Sequence, residues 1–487
     1  FVASPMVGTG APFFVGSALL LVLVAATASL FYATLGLRAV ASMVAGPATA
    51  LVMLLAPTDQ PVELFVLAGI VYVVVRMTSA SAPSFTSIEW WAMGAIVVAV
   101  TMIKVSVGPA LAVTLALAAA TAGRRALADA FGAAVVSTGV IWLVTGQSIG
   151  DLLDWLGGVA QVSIGHVSAM SKSDPDRNWQ YATLAVVVVG AIAVAAPGVR
   201  SVIRDRTRDQ RLAAVAAIVI SAFLAWFLFR QGFTRHASRS RMTFLSAIWM
   251  MALLVPWRRL ASTARIAGAC IVAIALGSFV VADGRSVVTM LDPTQPAAEF
   301  ARSATYAVDG TRRDAVERSA RDAARADYAI PQQMLDRVGS ASVHVDGTEI
   351  VATWAFDLSW APMPSLQRYL GYTTDLDGRN AAWLESDDAP DFVLREFGGT
   401  IDGRLPTAES PAFQLALFCR YAPVDTAPGW QLLERTDDRC GAPVEVVSQR
   451  VAAGELVTVP EVDPDAALLL AYEPDRSAAD VVASTLF

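Results

Sequence analysis

The chain has 487 residues, of which 55% are hydrophobic and only 16% charged. That balance excludes an ordinary soluble protein of this length and makes lipid the expected solvent for much of the chain. The net charge of -7 is unevenly placed, because acidic residues are sparse before residue 290 and frequent after it, which marks two regions with different solvents. No nucleic acid is expected among the partners. Phe1 opens the chain without an initiator Met or a basic n-region, so the natural N-terminus is expected upstream.

A helix needs about 20 mostly apolar residues to cross the hydrocarbon. Apolar runs between polar breaks fall near 13–32, 39–56, 62–76, 88–104, 107–122, 128–146, 180–197, 211–229, 242–256 and 264–283. They predict an α-helical polytopic membrane domain of about ten spans over residues 1–285. The basic connections "GRR" (123–125), "GVRSVIRDRTRDQR" (198–211) and "WRR" (257–259) fall on one side when spans are counted between them. Enrichment of Lys and Arg in short cytoplasmic loops makes that side the cytoplasm. Residues 1–12, 57–61, 147–179 and 230–241, and the chain after residue 284, then face outward, in a multi-pass protein of the plasma membrane.

The first outward loops carry Asp59 and Glu63 as candidate acids, and Lys104 falls at the outer end of the fourth span. In the outward loop 147–179, residues 149–170 have apolar positions at helical spacing, which predicts one or two amphipathic helices on the outer surface. Asp151 and Asp154 lie three residues apart there and are candidate general bases; the alternative is that Asp151 caps a helix and Asp154 is solvated. His166 reads as a structural or polar-contact residue, and the three histidines form no metal motif.

"FRQGFTRHASRSR" (229–241) is basic yet outward, against the positive-inside pattern. Arginine costs up to ~3 kcal/mol at the centre of a span, so a cluster on the unfavoured side is explained by an anionic partner. Guanidinium groups bind phosphate in bidentate geometry. Arg230, Arg235, His236, Arg239 and Arg241, with Lys104, are therefore the candidate lipid-phosphate ligands. The alternative is that they snorkel to headgroups or pair with acids of the C-terminal part.

Residues 286–487 read as an extracytoplasmic α/β or α+β domain. Residues 312–328 predict a charged helix, 341–354 two short strands around an Asp346-Gly347 turn, "APDFVLREF" and "AALLLAYEP" further strands, and "IPQQMLDRVG" a helix. Outside the cell, Cys419 and Cys440 can pair and close a loop worth ~3 kcal/mol, while Cys270 stays free in the tenth span. The segment 360–384 is dense in aromatics, amides and acids, and Trp360, Gln367, Tyr369, Tyr372, Asp375 and Asn380 form a candidate glycan-binding set.

"SIGHVSAM", "FRQGFTRH", "LQRYLGYTTDLDGRNAAWL" and "APDFVLRE" resemble a group of polytopic envelope proteins of actinobacteria and cyanobacteria, in which a Tyr and an Asp are expected where this chain has His166 and Ala237. Many spans followed by an outer domain is similar to the GT-C superfamily of membrane glycosyltransferases. That resemblance implies transfer of a sugar from a polyprenyl-phosphate donor to an envelope glycan or glycolipid on the outer face. It also implies an acid in an early outer loop as base and basic residues on the donor phosphate. No acid occurs in residues 1–12 to fit that base, so Asp151 and Asp154 stand as its candidates, with Asp59 and Glu63 as further ones, and the base is otherwise expected upstream of Phe1. A lipid-linked donor carries its own activation, and no Gly-rich nucleotide loop occurs, so no cofactor is required; a divalent metal has no ligand motif to support it. The alternatives are an O-antigen-ligase-like transferase or polymerase, and a glycolipid transporter or non-catalytic envelope-assembly subunit with a glycan-binding outer domain.

Overall fold

The structure, a computed structural model, describes residues 85–170 except 106, 207–233, 309–397 and 409–463 except 453, with isolated residues elsewhere. The chain divides into two compact units, Phe1–Ala320 and Arg321–Phe487.

In the first unit, helix α1 (Ser87–Ile103) starts at a capping box. The Thr86 hydroxyl accepts from the Glu89 backbone N–H, and the Glu89 carboxylate accepts from the Thr86 N–H at 2.7 Å. Helix α2 (Gly108–Ala122) opens on a proline in its first turn, where the missing N–H has no helical partner to lose. Gly123, at φ +116°, joins α2 directly to α3 (Arg124–Val144) in a conformation that side-chain-bearing residues avoid. Helix α1 packs tightly on α3: a Cβ at Gly94 would stand 2.5 Å from the Ala130 carbonyl oxygen and 2.8 Å from the Ala133 methyl.

The outward faces reverse the pattern of a water-soluble bundle. Along α3 the small Ala126, Ala130 and Ala133 are buried, whereas Phe131, Val135, Val140 and Leu143 are exposed. Two helical stretches among the described residues, Arg124–Val144 and Gln210–Arg230, are long and apolar enough to cross a membrane; Ser87–Met102 and Gly108–Ala122 are apolar but shorter. A 3-10 turn (Ile149–Asp151) and helix α4 (Leu152–Met170) follow α3. Helix α5 (Arg208–Phe233) packs on α2, as does α1.

The second unit is a five-stranded mixed sheet with helices on both faces. Helix α6 (Gly310–Tyr328) leads into it and α7 (Gln332–Val338) follows. Next come β1 (Ser342–Asp346), α8 (Val351–Ala355) and β2 (Ser359–Trp360). Then follow α9 (Thr374–Glu385), β3 (Phe392–Glu396), α10 (Pro411–Arg420), β4 (Tyr421–Ala427) and β5 (Trp430–Arg435). The strand order is β2-β1-β3-β5-β4, with β1 parallel to β2 and β3, and β5 antiparallel to β3 and β4.

Strand alternation splits the core in two. Val343, Val345, Phe392 and Leu394 face Met334 and Val338 of α7. On the opposite face Val393 and Leu433 meet Leu384 of α9 and Phe413 and Leu417 of α10.

Two sequence expectations are corrected here. The run 341–354 is not a hairpin, because only its first half is a strand and 351–355 is helix α8, which carries the chain over to the parallel neighbour β2. Gly347 serves a close approach rather than a hairpin turn, since a Cβ there would stand 2.5 Å from a Glu396 carboxylate oxygen. The run "AALLLAYEP" forms no strand among its described residues; alternation produces a strand only where a neighbour pairs with it.

Candidate functional site

In the first unit several of the candidate residues stand at helix ends. The Trp142 indole of α3 donates to the Ser148 carbonyl at 2.6 Å and packs on Trp155 of α4 with centroids 5.4 Å apart. Ser148 in turn caps the 3-10 turn by accepting from the Gly150 N–H. This junction holds Asp151 at the end of the turn and Asp154 in the first turn of α4, both exposed.

Lys104 is the C-cap of α1, half-buried, with its backbone N–H on the Val100 carbonyl at 2.8 Å. Arg230 lies in the last turn of α5, half-buried, its guanidinium 5.3 Å from the Trp226 ring centroid. Both terminate helices that pack on α2. His166 is half-buried on α4. Arg235, His236, Arg239, Arg241, Asp59 and Glu63 lie outside the described residues.

In the second unit most of the polar residues of 360–384 build the domain. Asn380 is fully buried: its carbonyl accepts from the Ser365 N–H at 3.2 Å and its amide donates to the Ser365 hydroxyl at 2.7 Å. Both valences being taken inside the fold, Asn380 is not on a ligand-facing surface. Gln367 donates to the Thr348 carbonyl at 2.8 Å, and Asp375 pairs with Arg379 one turn on at 3.0 Å. Tyr369 and Tyr372 are half-buried. Asp377 accepts from the Ala412 and Phe413 N–H groups and so caps α10. Of the candidate set, Trp360 and Asp375 are exposed.

A polar cluster that the sequence did not single out lies at the carboxyl ends of β1 and β3. Asp346 is fully buried and accepts from Arg368 at 2.6 Å and Arg395 at 3.0 Å; Arg395 also donates to Gln414 at 2.8 Å. The signal available in advance was an arginine inside the strand-like run "FVLRE". Two residues earlier on the same face, His344 is fully buried between Trp383 and Phe413, both edge-on. Neither ring nitrogen meets a partner in hydrogen-bonding geometry. Burial pushes its pKa down to about 4, against the opposing pull of Asp346 and the Ala361 backbone.

An open depression of about 570 Å³ lies along α8 and β2, lined by Val351, Trp354, Asp357 and Trp360 among others. Arg321 and Arg325 both pair with Asp357, the latter at 3.2 Å.

Cys419 and Cys440 form a disulfide. Asp438 lies close enough to make these three a possible metal set, with ligand atoms within 4.8 Å of one another, but the two sulfurs are bonded to each other. Disulfide sulfur is a poor ligand beside thiolate.

No family model, no curated protein and no solved structure matches the chain.

Proposed function

We propose that the chain is a membrane glycosyltransferase of the cell envelope, moving a sugar from a polyprenyl-phosphate donor to a glycan or glycolipid acceptor on the outer face, with the domain after residue 285 extracytoplasmic. The observation that carries this reading is the junction of α3 and α4. There an apolar helix with its large side chains exposed ends at an indole-anchored turn that presents two exposed carboxylates, Asp151 and Asp154. A carboxylate in that position suits a base for an acceptor hydroxyl at the membrane boundary.

In the proposed reaction the carboxylate takes the hydroxyl proton, the acceptor oxygen bonds to the anomeric carbon, and the bond from that carbon to the phosphate oxygen breaks with its electron pair. The departing lipid phosphate needs cationic donors. Lys104 and Arg230 at their helix ends, with Arg235, His236, Arg239 and Arg241 of the basic segment, are the groups assigned to it. The second unit is assigned to the acceptor glycan.

The test is transfer of radiolabelled sugar from polyprenyl-phosphate donors in membranes holding the full-length protein, comparing wild type with Asp151→Asn, Asp154→Asn and Arg235→Ala. Loss of transfer in Arg235→Ala and in one aspartate variant, with unchanged protein level, is expected. Transfer that survives both aspartate variants assigns the base to another outward acid, with Asp59 and Glu63 the next to be replaced. No transfer from any donor, with lipid-phosphate binding that still depends on Arg235, would defeat the reading in favour of a transporter or assembly subunit.

A further inference from the structure

The depression along α8 and β2 has features that no part of the proposed transfer step uses. Trp354 and Trp360 are each 37% exposed, so each ring offers area to a ligand while its remainder is fixed by packing. Trp360 belongs to β2, which among the described residues is an edge strand, so polar backbone groups of that edge lie beside the indole.

Asp357 holds a left-handed backbone conformation, φ +54°, between these elements. Arg321 and Arg325 clamp its carboxylate, Arg325 also donates to the Ala355 carbonyl at 2.5 Å, and the Arg321 guanidinium lies 4.8 Å from the Trp354 centroid. The hydrogen bond from Arg321 comes first among the causes that keep the Asp357 carboxyl below its ordinary range. The lip of the depression thus sets acceptors and donors beside two partly exposed indoles, one of which, Trp354, also carries Arg321 on its ring.

We infer that this depression is a saccharide-binding platform, in which Trp354 and Trp360 take the apolar faces of successive sugar rings and the Asp357–Arg321–Arg325 set takes their hydroxyls. Sugars present C–H faces and a hydroxyl rim, so they need both kinds of surface at once. The depression is open, so a ligand chain would lie along it with one side in solvent. A lipid surface would instead favour indoles beside uncompensated cations; here a carboxylate faces two of the arginines. The inference rests on the reading of the chain as a glycan-handling protein and assigns the acceptor-holding site within it.

The test uses the full-length protein in lipid nanodiscs and equilibrium dialysis against radiolabelled neutral hexasaccharides of glucose, galactose, mannose and arabinose. At least one is expected to bind saturably. Trp354→Ala and Trp360→Ala should each weaken it by about tenfold, and Trp360→Tyr should recover most of the loss. Binding to none of the four, or equal binding by both alanine variants, would overturn the platform. So would quenching by brominated nanodisc lipid that disappears in the alanine variants, since it marks the same indoles as lipid-facing. Sugar transfer without hexasaccharide binding sinks this inference alone; hexasaccharide binding without transfer sinks the transferase and leaves the platform standing.

Discussion

Arg368 donates to Asp346 at 2.6 Å across a separation of 22 residues, and the aspartate it reaches is fully buried. Arg395, from the neighbouring parallel strand, closes on the other carboxylate oxygen at 3.0 Å. Removing the carboxylate takes the shared anion from two guanidinium groups, leaving Glu409 beside Arg368 at 3.6 Å and Gln414 on Arg395 at 2.8 Å. Asp346→Ala is therefore expected to destabilise the second unit by about 3–5 kcal/mol, read from chemical denaturation of the full-length protein. A loss under 1 kcal/mol would mean that water replaces the carboxylate at little cost.

His344 makes the second unit sensitive to acid. Its folded pKa is about 4, below the ordinary value near 6.5, so between these pH values the unfolded chain binds a proton that the folded chain does not. Stability then rises with pH in that window, and it is lost as pH falls from 6.5 towards 4, by about 3 kcal/mol in all. His344→Leu should flatten this part of the profile, as followed by denaturant midpoint against pH. An unchanged slope would place the acid sensitivity in other groups.

The Cys419–Cys440 bond closes a loop with a sequence separation of 21. Cys440→Ser is expected to lower stability by about 3 kcal/mol in the chain-entropy account, compared by denaturation with and without reductant. Alkylation of the unreduced, unfolded protein should label Cys270 alone, and all three cysteines after reduction. Labelling of Cys419 before reduction would show that the bond is absent in the cell and would count against an extracytoplasmic second unit.

Gly94 sits where α1 touches α3, with the Ala130 carbonyl 2.5 Å from where a Cβ would be. Gly94→Val must push the two helices apart, and an overpacking cost of about 1–3 kcal/mol is expected. The check is the temperature of aggregation in detergent. Gly139, where a Cβ meets nothing within 4 Å, should accept alanine without loss.

Much of the secondary structure was legible because hydrophobic periodicity is local. The apolar runs 88–104, 107–122 and 211–229 are occupied by α1, α2 and α5, and the amphipathic run 149–170 by a 3-10 turn and α4. "APDFVLREF" holds β3, and the charged run 312–328 lies within α6.

What the sequence by itself determined was where chain segments are apolar, where they alternate and where cysteines and charges stand, since each depends on neighbours a few positions away. Only the tertiary structure decided that Asn380 and Asp377 bond inward to Ser365 and to the start of α10. It likewise decided that 351–355 is a crossover helix and that Arg368 and Arg395 meet on Asp346. Trp354 and Trp360 share a depression for the same reason. A polar side chain's role depends on which partner folding brings within 3 Å, and that partner here stands 15 to 49 residues away, beyond the reach of any local pattern.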